Sequence, residues 1–237
     1  DVYKRQETGC FPGDTAAYPV TITTPGSYRL TGNLTVPDGE TTAIRVETAL
    51  VTIDLGGFAL TGPTDCDFVQ QTCQNTGQGV GVDANLFGVE SVTVRNGSVS
   101  GMGSVGVLLG SGGRIESISA GSNGSVGLQV SNGVIRDSVA RENGSSGIQA
   151  AYAVVVNSSA SINLGDGIVG GFGVQVVDSN ASLNRGFGLD LPTTAGLGRV
   201  GSYKGCSMQG NNGGDANPQV DGGVQIGSNV CGQALCP

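Results

Sequence analysis

The 237-residue sequence contains no histidine and no tryptophan, and only 5 tyrosines and 6 phenylalanines. Without an imidazole there is no Ser-His-Asp or Cys-His nucleophile, no histidine-ligated zinc and no histidine general base. Charged residues make up 13% of the chain, against about 25% in ordinary domains. Basic residues are the scarcer sign: 11 Lys and Arg stand against 19 Asp and Glu, a net charge of −8. Such a surface repels phosphate backbones and argues against nucleic acid as a partner. No apolar run reaches the roughly 18 residues of a membrane-spanning helix, so no membrane insertion is expected.

What the sequence has in excess is glycine, 43 residues of it, and the glycines follow a repeat. Four Asn-x-x-x-Gly units run from Asn123 to Gly127, Asn143 to Gly147, Asn163 to Gly167 and Asn184 to Gly188, with spacings of 20, 20 and 21. Gly106 extends the register one unit earlier. Other columns share the period. Ile115, Ile135, Val155 and Val176 form an apolar ladder; Ala120, Ala140, Ala160 and Ala181 a small one; Ser117, Asp137, Asn157 and Asp178 a polar one. No segment sustains the i, i+3, i+4 spacing of a helix. Short β-branched runs between Gly, Ser and Asn turns read as strands.

A period near 20 residues with three short strands predicts one coil of a parallel β-solenoid, in which like residues stack at about 4.8 Å. The apolar columns then fill the interior, and the asparagines Asn123, Asn143, Asn163 and Asn184 stack their amides at a turn as a structural ladder. The fold class expected is all-β, a single-stranded right-handed parallel β-helix of about eight coils. Residues 7–237 are expected to form one domain, with an N-terminal cap at 7–27, an inserted loop at 63–76 and a C-terminal cap at 200–237. Asp1–Gln6 resembles a translated adapter leader and is set aside.

Six cysteines without histidine are poor zinc ligands, since Cys₄ sites pair two closely spaced knuckles. An even count in an acidic, Ser- and Asn-rich chain favours disulfides and an oxidising compartment. Cys66 and Cys73 are expected to bridge the inserted loop. Cys206, Cys231 and Cys236 are expected to staple the last coil, with Cys10 tied in at the other end.

Leu50-Val-Thr-Ile-Asp-Leu-Gly-Gly-Phe-Ala-Leu-Thr-Gly62 and Val92-Thr-Val-Arg-Asn-Gly-Ser-Val-Ser-Gly101 resemble the opening of bacterial right-handed parallel β-helix repeat proteins of the pectate-lyase-like type. The repeats and the ending from Gly222 to Pro237 are similar to that group as well. The cysteines point to an extracytoplasmic protein, secreted, periplasmic or surface-bound; the resemblance implies a bacterial source and an architecture that hosts pectate lyases, polygalacturonases, alginate epimerases and tailspike enzymes. Fold alone does not assign an activity. The polygalacturonase pattern of an Asp pair and a Gly-His-Gly is absent, and no catalytic residue is assigned.

Three functional readings of the residues remain. Tyr152 and Phe172 share a column 20 residues apart, so their rings meet on adjacent coils. Pointing outward they make a platform for sugar rings; pointing inward they are an aromatic core stack. Gln129, Gln149 and Asp190 form a neighbouring polar column suited to hydroxyl groups. The leading expectation is a non-catalytic protein binding extended polysaccharide along one face, with no cofactor. The alternative is a lyase of uronate polysaccharides built on Asp137, Asp178, Arg136 and Arg185, for which alone calcium is implied. A structural spacer or adhesin is the third. Glu116 and Arg136 fall in one column and are expected to form a surface ion pair.

Overall fold

A computed structural model describes residues 17–191 and 200–236; Asp1–Gln6 and Cys10 lie outside the described residues. The chain winds into a parallel β-solenoid of about ten turns, close to the eight that the spacing predicts. The first strand of each coil joins one nine-stranded parallel sheet, from Val20–Ile22 through Leu128–Ser131, Ile148–Ala151 and Ile168–Gly170 to Val220–Gly222. The second and third strands build the other two faces. Val134–Arg136 stacks on Val154–Val156, and Val139–Arg141 stacks on Ser159–Ser161. In two earlier coils these strands run together as Thr93–Ser100 and Arg114–Gly121.

Stacking in register carries each sequence column through the core. Ile115 pairs with Ile135, then Val155 and Val176, all four fully buried. The alanine column lies beside them, equally buried, and continues into Val99 on the coil before it and Met208 on the coil after it. Each large aliphatic side chain so buried is worth about 1.5–3 kcal/mol.

The three bends of the coil are each made by one residue in the left-handed region. The first corner carries Leu50, Ser91, Gly112, Asn132, Tyr152 and Gly173. The second carries Asn96, Ser117, Asp137, Asn157, Asp178 and Gly205, and the third Gly101, Ser122, Glu142, Ile162, Leu183 and Gly210. Their φ values run from 47° to 69°. The polar ladder read from the sequence is thus the second corner, where Asn and Asp tolerate a conformation costly to most L-residues.

The asparagine ladder follows the third corner. From Asn143 onward, each Asn Oδ1 accepts from the backbone N–H and from the Nδ2 of the asparagine one coil before it. Asn143 donates to Asn163 at 3.0 and 2.9 Å, and Asn163 to Asn184 at 3.0 and 2.8 Å. The second Nδ2 hydrogen goes to an alanine carbonyl, from Asn163 to Ala140 at 3.2 Å. Every donor and acceptor of these buried amides is therefore used. The ladder continues to Asn211 and ends on Gln219, a continuation the sequence hides because the spacing jumps from 21 to 27 residues.

Between the coils, Asp65–Asp67 and Thr72–Gln74 form an antiparallel hairpin closed by the Cys66–Cys73 disulfide. A second disulfide joins Cys231 and Cys236 across the antiparallel turn of the last strands. The expectation that Cys206 joins this staple is corrected: its thiol is free and buried. Cys206 occupies the inward column of Ser138, Ser158 and Ser179, and its Sγ faces the Lys204 and Val176 carbonyls at 3.3 and 3.5 Å. Burial pushes this thiol above its ordinary range, as expected of an inert core cysteine.

Candidate functional site

On the outer surface of the first sheet the side chains between the inward residues form one continuous line. From the N-terminal side it reads Arg45, Asp83, Leu108, Gln129, Gln149, Val169, Asp190 and Asp221. Gln129, Gln149 and Asp190 do share this column, as their alternation with buried neighbours dictates, but Val169 separates Gln149 from Asp190. The middle of the face is uncharged, with Leu108 and Val169 on either side of the two amides, and its C-terminal end is acidic. Arg45 is bound to Asp83 at 3.6 Å.

Asp190 is held above the usual carboxylate range, first by burial and then by the charges of Asp166 and Asp221. A raised folded-state value means that ionising Asp190 opposes the fold. Its penalty is absent below the unfolded value and fully present above the folded one. Asp190→Asn is therefore expected to raise the thermal midpoint at pH 7 and to leave it nearly unchanged at pH 3. Paired melts at the two pH values check this, and a larger gain at pH 3 would contradict it.

The aromatic pair borders this line. Tyr152 follows directly on Ile148–Ala151 at the first corner, and its left-handed backbone turns the ring out of the coil. Tyr152 is 47% exposed, and Phe172 on the next coil is half-buried. Their ring centroids are 6.1 Å apart at 33°. The inward core stack is thus not what forms; the rings make a tilted, outward-facing pair. Tyr152 aligns with Gly173 rather than Phe172, since its N–H donates to the Phe172 carbonyl, and this one-residue offset sets the tilt.

The sequence columns miss one aromatic on the same edge. Phe87 is wholly exposed, and Leu86 beside it is 42% exposed. Both sit in the connection after Val82–Ala84, which is longer than the corners of the regular repeats. The signal available was that extra length: an Asn-Leu-Phe-Gly insertion where regular coils spend one or two residues.

The residues of the lyase alternative do not form one group. Asp137 and Asp178 lie at the second corner with Asn157 between them, and Asn157 Nδ2 donates to Asp137 at 2.6 Å. Arg136 is engaged by Glu116 at 3.2 Å, whose hydrogen bond and charge raise the guanidinium pKa. Arg185 stands exposed past the third corner, beyond Asn184 of the ladder. Among the described residues, no group of three carboxylates or cysteines is arranged to hold a metal ion.

No protein-family model matches the chain, and no curated protein matches it. Solved structures do. The Dettilon tailspike protein superposes with a TM-score of 0.61 at 16% identity, over 81% of this chain and 42% of its own. The periplasmic alginate epimerase AlgG gives 0.53 at 9% identity, over 91% of this chain and 61% of its own. The A-module of the Azotobacter vinelandii mannuronan C-5 epimerase AlgE4 gives 0.50 at 16%, over 84% and 61%. The chain spans less than two thirds of each of these proteins. At such identities the likeness shows the fold alone: this chain is a right-handed parallel β-helix.

Proposed function

We propose that this protein binds an extended polysaccharide along its first sheet and first corner without cleaving it, outside the cytoplasm. The observation that carries the reading is the outward Tyr152–Phe172 pair beside the half-buried amides of Gln129 and Gln149. Aromatic faces take the apolar side of a sugar ring, and amides donate to and accept from its hydroxyls. The two disulfides support an oxidising compartment. The polysaccharides in the names of the alginate and mannuronan epimerases suit an elongated ligand on this fold.

Native electrophoresis through gels cast with neutral and acidic polysaccharides tests the reading. Retardation in at least one gel is expected, and Tyr152→Asn should weaken it about tenfold, near 1.4 kcal/mol. Asn is chosen because the preceding coil already places Asn132 in the same backbone conformation. No retardation in any gel would sink the proposal. Release of unsaturated ends from a uronate polymer on addition of calcium would replace it with the lyase.

A further inference from the structure

Resting on that reading, we infer that the ligand is an uncharged glycan, lying parallel to the solenoid axis across five coils, with Phe87 as a second aromatic anchor. Phe87 and Tyr152 are the two aromatic side chains in the exposed class among the described residues, and both lie along one edge of the first sheet. Their coils are those of Val82–Ala84 and Ile148–Ala151, three steps apart in the sheet order, with the coil of Phe172 one step further. At about 4.8 Å per step the anchors are separated by about 14 Å, and the strip to Phe172 covers about 19 Å. One coil is close to the length of one extended pyranose unit, so a straight glycan chain can keep step with the rungs.

Between the anchors the corner carries Gly112 and Asn132, which leave the strip open, and the adjoining line presents Gln129 and Gln149. A fully exposed phenylalanine gains nothing in the folded chain by itself; placed in line with a second exposed aromatic, it offers a sugar ring a second surface.

The charges select the chemistry. Arg45 is the sole cation on the outer line of the first sheet among the described residues, and Asp83 already holds it. Asp83 lies at one end of the strip, and Asp190 and Asp221 at the other. A polyuronate would lay one carboxylate per sugar along this line, on a chain of net charge −8, with Arg45 already held by Asp83 and with Arg114, exposed beside the Gly112 corner, a single cation against several carboxylates. Hydroxyl groups meet no such penalty.

The test uses cello-, xylo- and manno-oligosaccharides of two to six units, with oligogalacturonate and alginate oligomers of equal length, titrated calorimetrically with and without calcium. A neutral series should bind, with affinity rising at least tenfold from dimer to hexamer and changing little with salt. Phe87→Ala should lower hexamer affinity about tenfold and leave the dimer unaffected, whereas Tyr152→Asn should weaken both. Phe87 has no buried contact to lose, so its variant keeps the fold. Tyr152-dependent binding of a uronate oligomer in preference to every neutral one would overturn this inference and leave the proposed function standing. An unchanged hexamer affinity in Phe87→Ala would remove the second anchor. Absence of binding throughout, with concentration-dependent dimerisation that Phe87→Ala abolishes, would overturn both and make the strip a contact between copies of the chain.

Discussion

Asn163→Ala is expected to destabilise the protein by about 3–5 kcal/mol, far more than its volume suggests. Asn163 sits in the middle of the buried ladder, and its Oδ1 accepts from both the N–H and the Nδ2 of Asn143. Removing the side chain leaves those two donors without partners, and the Ala140 carbonyl loses the Asn163 Nδ2. No water reaches a site whose residues are fully buried, so each orphan carries its desolvation cost of about 1–3 kcal/mol. Asn123, at the start of the ladder, accepts only the Met102 N–H through its Oδ1. Asn123→Ala therefore strands fewer groups and is expected to cost about 1–2 kcal/mol. Urea unfolding of the two variants compares them directly. Equal losses would mean that the ladder contributes residue by residue and that its continuity adds nothing.

The solenoid was legible because its interior is written as columns. The aliphatic and alanine ladders, the 20-residue period and the Glu116–Arg136 pair all follow from like residues stacking on like. What escaped the period escaped the reading. Asn211 and Gln219 extend the ladder across a 27-residue step, and Phe87 stands on an insertion that belongs to no column. Cys206 was misassigned for a related reason. It follows Ser138, Ser158 and Ser179 in one inward column, so its environment is set by the coils above and below it rather than by nearby cysteines in sequence. The direction of the aromatic pair was not legible because it depends on which residue takes the left-handed bend. At that corner Leu50, Asn132 and Tyr152 take it with no shared side-chain chemistry.

Gly147→Ala is expected to cost about 3 kcal/mol although it adds a single methyl group. Its backbone is not left-handed, so the penalty is one of space. A Cβ there would lie 2.6 Å from Asn163 Nδ2 and 3.0 Å from both Ala160 Cβ and the Gly167 carbonyl oxygen. The amide cannot retreat, because its two hydrogens are fixed on Ala140 O and Asn184 Oδ1. Gly127 meets Asn143 in the same way and Gly167 meets Asn184, so each Asn-x-x-x-Gly unit supplies the space for the next unit's amide. Gly121→Ala is the control, with its nearest atom at 3.4 Å and an expected change within about 0.5 kcal/mol. Because Asn163→Ala removes the closest obstacle to the new methyl group, the double variant should be less destabilised than the sum of the singles, by about 1 kcal/mol or more. Strict additivity in that cycle would show that the glycine and the asparagine are separate features of the repeat, and that the steric partnership drawn from their contacts does not operate.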